Sequence, residues 1–219
     1  QDSDCLLLLD GKSIAVEQFL TWLENPVDHR YHKPECGYLF QKPLKLAEPI
    51  ERLTGWKAIC GARVICLNGP DGSTPLRAIW KIAVSPNHVD NFSLGKYGNL
   101  LADINPATGA ISRVLGGLWP ETNLMAEHPV SGVSFKNFHL PDWPEVLDAC
   151  KAIGELIPLM RLQHIDFAFT DEGPKILEIN DIGGTEIAQL HGHGLLTERM
   201  RGFLKEYGNR TSYPWIDAI

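Results

Sequence analysis

The chain has 219 residues, 44% hydrophobic and 21% charged, enough for one well-buried domain or two small lobes sharing a cleft. Its net charge of −7 argues against a nucleic-acid binder, which would carry a basic patch, but leaves room for a phosphate-bearing small ligand held by a few local Lys and Arg. No apolar run approaches the roughly 20 residues that cross a bilayer, so no membrane partner is expected.

Asp2 and Asp4 stand where a signal peptide would be positive. Cys5, Cys36, Cys60, Cys66 and Cys150 are odd in number and irregular in spacing, forming neither a disulfide framework nor a CxxC metal site. Reduced thiols in a cytoplasmic protein are the expectation. Asn209-Arg-Thr211 fits a glycosylation acceptor, a tripeptide common by chance.

In chain order, Leu6 to Leu9 reads as a buried strand and Asp10-Gly11-Lys12 as a turn. Ser13 is expected to cap a helix whose apolar face is Val16, Phe19, Leu20 and Leu23, ended by Asn25-Pro26. Tyr38 to Gln41 is a short strand stopped at Pro43. Residues 58–67 and 75–84 read as a hairpin across the turn formers Asn68-Gly69-Pro70-Asp71-Gly72. Asp90 to Gly98 is a polar loop, and Tyr97 to Ile104 continues as a strand closed by the turn 105–109. Residues 115–141 read as an extended, irregular connection.

Asp142, Pro144 and Glu145 form a capping-box arrangement at the head of a helix burying Val146, Leu147, Cys150, Ile153, Leu156 and Ile157. Leu162 to Phe169 and Lys175 to Ile179 are two strands joined by Thr170-Asp171-Glu172-Gly173-Pro174. A last amphipathic helix, Leu195 to Tyr207, turns Leu196, Met200, Phe203 and Leu204 inward. The sum is mixed α+β with antiparallel hairpins. No GxGxxG or GxxxxGKS loop is present, so Rossmann and P-loop readings are unsupported.

The chemistry concentrates in the last strand pair. Alternation places Asp166, Ala168 and Thr170 on one face of the first strand, and Ile176, Glu178 and Asn180 on one face of the second. A tight hairpin can then gather Asp166, Glu178 and Asn180. Two carboxylates and an amide oxygen form a hard oxygen set of the kind Mg²⁺ takes when its other ligands are waters and substrate phosphates. The alternative for each is a solvated position on an amphipathic strand.

The stretch Asp166 to Asn180, "DFAFTDEGPKILEIN", resembles the metal-binding strands of ATP-grasp enzymes, most nearly the sugar-transfer-associated ATP-grasp branch. Pro141-Asp-Trp143, Gly173-Pro174, Glu178-Ile-Asn180 and Gln189 stand in that branch's order. Upstream, so do Ala62-Arg63-Val64, Val89 to Ser93, Thr108-Gly109, His128-Pro129 and Gly132. The resemblance covers about Asp10 to Leu204.

It implies an ATP-grasp fold: an antiparallel sheet with packed helices, residues 1–45 a remnant of the smaller lobe up to the adenine hinge, and 46–219 the larger lobe with the Mg²⁺ and phosphate site. The family's preceding strand with its phosphate-binding Lys and Gly-rich loop is not in this sequence. The expectation is therefore an incomplete N-terminal lobe, supplied by the same precursor or by another chain. Residue by residue, the resemblance assigns Asp166, Glu178 and Asn180 to Mg²⁺. It assigns Gln41, Lys42 and Leu44 to the adenine hinge, and Arg63 and Lys81 to phosphate or an acyl phosphate, with Lys81 also touching ATP. For Arg63 and Lys81 the alternative is a solvated strand charge. Lys96, bracketed by Gly95 and Gly98, reads as an exposed loop lysine before a third phosphate contact.

The implied activity is a Mg-ATP-dependent ligase that activates a small-molecule or peptidic carboxylate as an acyl phosphate for attack by an amine. That chemistry rests on positioning and charge neutralisation and needs no protein nucleophile. The alternatives are a catalytically silent ATP-grasp module used in binding or assembly, and an ATP-grasp kinase. His191-Gly192-His193 lacks an obvious third metal ligand and reads as a substrate contact or a capped loop.

Overall fold

A computed structural model describes residues 5–7 (backbone only), 13–24, 41–85, 87 and 90–208. The chain divides into two compact units, Gln1–Pro43 and Leu44–Ile219.

In the first unit, β1 (Cys5–Leu7) pairs antiparallel with β2 (Ser13–Ala15), and α1 (Val16–Glu24) follows directly. Ser13 therefore sits in a strand opposite Leu7 instead of capping the helix. Of the apolar face read from the sequence, Leu23 is buried, Val16 and Phe19 are half-buried, and Leu20 is exposed. Tyr38 to Phe40, read as a strand, lie outside the described residues, and Gln41 has no regular structure.

The second unit is a seven-stranded, wholly antiparallel sheet in the order β7-β6-β5-β4-β3-β8-β9. Its strands are β3 (Gly61–Gly69), β4 (Gly72–Ile82), β5 (Leu100–Ile104), β6 (Ile111–Gly116), β7 (Asn123–Leu124), β8 (Leu162–Thr170) and β9 (Gly173–Asn180). The described residues also form α2 (Glu48–Thr54), α3 (Trp143–Leu156) and α4 (Glu198–Tyr207), so the fold is mixed α and β with four helices in all.

The two-residue period of a strand assigns the faces. Even positions of β3 to β6 (Ala62, Val64, Cys66; Ala78, Trp80, Ile82; Leu100, Ala102, Ile104; Val114) and odd positions of β8 (Ile165, Phe167, Phe169) build one core with Ile50 and Leu53 of α2 and Val146, Cys150 and Ile153 of α3. Trp80 is wholly buried and satisfies its indole N–H on the Cys60 carbonyl at 3.0 Å. The opposite face carries a smaller apolar patch, Ile65, Ile79 and Leu101 under Phe92, Ala188 and Leu195, with charged residues beside it.

Helix ends explain three departures from the sequence reading. Asp142 adopts a left-handed backbone (φ 52°) and its carboxylate caps nothing; the first turn of α3 closes instead through its carbonyl, which accepts from the Glu145 N–H at 3.0 Å. Leu156 is 79% exposed because it is the last residue of α3, past the buried stripe that ends at Ile153 and Gly154. Leu196 is likewise exposed, lying before α4, whose N-cap is Thr197 with its hydroxyl accepting from the Met200 N–H. Elements absent from the sequence reading are α2, which has Pro49 in its first turn and Gly55 at φ 65° as its C-cap, and the strands β6 and β7.

Candidate functional site

The charged face is organised by strand register. One transverse row runs across six strands: Arg113 on β6, Asp103 on β5, Ile79 on β4, Arg63 on β3, Asp166 on β8 and Glu178 on β9, each directly opposite the next. At about 4.8 Å per strand the row spans roughly 24 Å. A neighbouring row holds Arg77, Ile65, His164 and Asn180.

A one-residue bulge in β9 creates the Asp166–Glu178 pairing. From Thr170↔Gly173 to Phe167↔Ile176 the strands keep one register, and from Asp166↔Glu178 to His164↔Asn180 another, leaving Leu177 unpaired. The alternation read from the sequence put Ile176 on the face of Glu178 and Asn180. The bulge moves Ile176 opposite Phe167, to the other face, and keeps the two polar residues beside β8's polar positions.

Asp166 is the centre of the site. Its side chain is 4% exposed, and Arg63 grips it with both arms of the guanidinium, Nε to Oδ1 at 2.7 Å and Nη2 to Oδ2 at 2.8 Å. Lys81 Nζ donates to Oδ2 at 3.2 Å. Burial alone would raise the Asp166 carboxyl, but the hydrogen bonds from Arg63 and the charges of Lys81 and Arg63 reverse this and hold it below its ordinary value. The Arg63 guanidinium is correspondingly raised, first by the hydrogen bond to Asp166.

Two further carboxylates complete the cluster. Asp90 lies 3.8 Å from Lys81 Nζ and accepts the Gly61 N–H at 2.5 Å. Burial raises its carboxyl against the opposing pull of Lys81 and that N–H. Glu178 meets Arg63 Nη2 at 3.5 Å, with its side chain 56% exposed. Asn180 is half-buried, and its amide makes no hydrogen bond to a described residue. His164, opposite Asn180, is fully buried with neither ring nitrogen hydrogen-bonded. Burial, then the charge of Arg63, lowers that ring from its ordinary value against the opposing pull of Asp166. Gly183 packs flat against it, and a Cβ there would lie 2.4 Å from the ring.

Beyond Ile79 the row continues as a second charged group. Arg77 meets Asp103 at 3.5 Å, Arg113 donates to the His191 carbonyl at 3.0 Å, and the buried His191 ring is lowered to about 4, chiefly by burial. The sequence reading did not place Asp90, His164, Arg77, Asp103 or Arg113 in a site, and read His191 as a substrate contact or part of a capped loop. The signal was available in the parity of β4, which sets Arg77 and Lys81 on one face four residues apart.

Arg63, Lys81, Asp166 and Glu178 are thus brought together, with Asn180 in the adjacent row. Gln41, Lys42 and Leu44 are exposed without regular structure, Gln41 and Lys42 in the first unit and Leu44 in the second. Lys96 is exposed, with its Nζ 5.7 Å from the centre of the Tyr97 ring.

Asp166, Glu178 and Asn180 supply only oxygens, as Mg²⁺ requires. Glu178 keeps an oxygen free of described donors and Asn180 its amide oxygen, whereas three N–H groups already occupy Asp166. The set fits the ion with Glu178 and Asn180 as the ready ligands. Among the described residues no three His, Cys, Asp or Glu side chains converge as a metal cluster, and no helix is long and apolar enough to cross a membrane.

A family model described as sugar-transfer associated ATP-grasp matches residues 30–204, most of the chain. No curated protein and no solved structure matches it.

Proposed function

The chain belongs to the sugar-transfer-associated ATP-grasp family, and from that membership we propose that it is an ATP-dependent ligase joining a small-molecule or peptidic carboxylate to an amine. The observation that carries this reading is the clamp of Arg63 and Lys81 on Asp166 beside Glu178, two cations able to exchange a carboxylate for phosphate.

The charges suit that exchange. Arg63 and Lys81 are countered by Asp166, Asp90 and Glu178, an excess of one negative charge that draws in a divalent cation. Glu178 and Asn180 would hold Mg²⁺, which when bound neutralises charge on the transferring phosphoryl group. Each N–H of Lys81 or Arg63 that turns to a phosphate frees a lone pair on Asp166 for the same cation. In the reaction a substrate carboxylate oxygen attacks the γ-phosphorus, and the bond to the β,γ-bridging oxygen breaks to release ADP. The amine nitrogen then attacks the acyl carbon, phosphate departs with the C–O electron pair, and the nitrogen loses its proton. Arg63 and Lys81 are the groups proposed to stabilise the charge that develops. Gln41, Lys42 and Leu44 keep the assignment to adenine that the family resemblance implies.

A second reading has its own support. Asp166 is already satisfied by protein donors, as a structural ion pair would be, which favours a silent binding module. Calorimetric titration with ATP, with and without Mg²⁺, separates the two, and product analysis separates the ligase from the kinase. Mg²⁺-dependent binding followed by carboxylate-dependent ADP and phosphate supports the ligase. A stable phospho-product indicates the kinase. Absence of nucleotide binding, in this chain and in one extended upstream, overturns both enzymatic readings.

A further inference from the structure

β8 carries Asp166, His164 and Leu162 on one face, at steps of about 7 Å along the strand. Asp166 belongs to the charged clamp, and His164 lies beneath Gly183. Past His164 the same face opens into a cavity of about 580 Å³, within the range that holds a small organic ligand. Leu162 lies on its floor, and Leu195, Leu196, Met200, Phe203 and Leu204 form its walls.

Two of the polar groups around this cavity, Gln189 and Arg161, are engaged elsewhere, whereas the two ring nitrogens of His164 have no hydrogen-bond partner. Gln189 donates to the Thr185 carbonyl at 3.2 Å and accepts the Leu195 N–H at 3.2 Å. Arg161 donates to the Asn68 carbonyl and lies over the Tyr207 ring at 4.6 Å. Leu162 and the apolar side chains of the walls offer an entering molecule apolar surface. The cationic groups on its approach, Arg63 and Lys81, stand beyond His164 at the clamp. A cavity with one apolar end and a cation pair about 14 Å away along the strand matches an amphipathic acid in both polarity and direction.

We infer that this cavity is the subsite for the body of the carboxylate substrate, which is an acid with an aliphatic or aromatic tail whose carboxyl points past His164 to Arg63 and Lys81. The fate of that carboxyl rests on the ligase reading; the choice of an apolar body rests on the cavity.

The test uses the full chain and a ladder of straight-chain monocarboxylates from acetate to octanoate, with phenylacetate, titrated with and without Mg-ATP. Affinity should rise roughly four-fold for each added methylene until the cavity is full. Leu204→Trp, which fills the cavity from α4, and Leu196→Trp, which fills it from the exposed rim and leaves the fold untouched, should each flatten the ladder by at least ten-fold at octanoate while ATP binding stays as in the wild type. A flat ladder in the wild type, or a gradient that survives both substitutions, overturns the inference. A gradient without carboxylate-dependent ADP release supports the cavity and removes the ligase; ADP release with short polar acids alone does the reverse.

Discussion

At the scale of single residues, Asp166 and Glu178 face each other across β8 and β9 yet should behave in opposite ways when changed. Asp166 is buried between two cations, so Asp166→Asn removes the one carboxylate that both contact and leaves only the longer pairs of Arg63 with Glu178 and Lys81 with Asp90. Removing one partner of a buried ion pair costs about 3 kcal/mol. Urea unfolding should therefore show a markedly lower midpoint at unchanged slope. Glu178 is largely exposed and its one contact is long, so Glu178→Gln should change stability by less than about 0.5 kcal/mol. The same substitution should abolish Mg²⁺-dependent ATP binding by calorimetry. A Glu178→Gln protein that binds Mg-ATP like the wild type removes that carboxylate from the proposed metal site. The proximity of Asp166, Glu178 and Asn180 was legible in the sequence because a hairpin and a two-residue period are local. That Arg63 would seize Asp166 was not, because the two lie 103 residues apart and meet only through the β3–β8 pairing.

Elements were legible where side-chain period and turn chemistry agreed. The β3–β4 and β8–β9 hairpins follow from alternating strands around Pro70-Asp71 and Asp171-Glu172. β6 escaped because Ser112 and Arg113 interrupt a short strand whose partner supplies the reason for it. The Leu177 bulge escaped because nothing local marks it. Its position has a consequence for stability. Leu177 is unpaired, half-exposed, and lies between two stretches that pair independently, so deleting it leaves both registers intact. Deletion of Leu177 should give a folded protein with Asp166 still opposite Glu178, read as retained Mg²⁺-dependent ATP binding. Deleting Ile179 instead shifts the strand by one and turns Glu178 to the other face, which should abolish that binding.

The junction between α3 and the sheet is held differently, by one buried amide. Asn68 Nδ2 donates one N–H to the Gly154 carbonyl near the end of α3 at 3.1 Å and shares the other between the carbonyls of Ile157 and Met160 at 3.3 and 3.4 Å, of which that of Ile157 also accepts the Met160 N–H. Gly154 has no room for a side chain there, since a Cβ would lie 2.4 Å from that of Ser73. Asn68→Ala should cost about 2 kcal/mol in chemical denaturation, because buried carbonyls lose their donor. A loss under about 0.5 kcal/mol would show that these carbonyls find other partners.

Across the whole of the second unit, buried histidines set the response to acid. His128, His164 and His191 all have lowered folded values, each chiefly by burial, and His191 falls to about 4 from 6.5. Between those values the unfolded chain holds a proton on His191 that the native chain does not, so unfolding becomes easier as pH falls through this window. From about pH 7.5 to about pH 5, His191 alone accounts for a loss of roughly 2 kcal/mol. Asp166 does not add to the loss there. Its folded value is depressed, so its contribution persists above its ordinary value of 3.8 and disappears only as pH drops further, through the folded value. Asp90 acts with the opposite sign, since its raised carboxyl favours the native state as protons are added. The net expectation is a melting temperature that falls between about pH 7 and pH 5, then falls again in stronger acid. His191→Leu removes a buried ring with two unpartnered nitrogens and should flatten the first fall without altering the second. If the variant kept the full wild-type slope between about pH 7 and pH 5, the acid response would have to come from groups other than this ring.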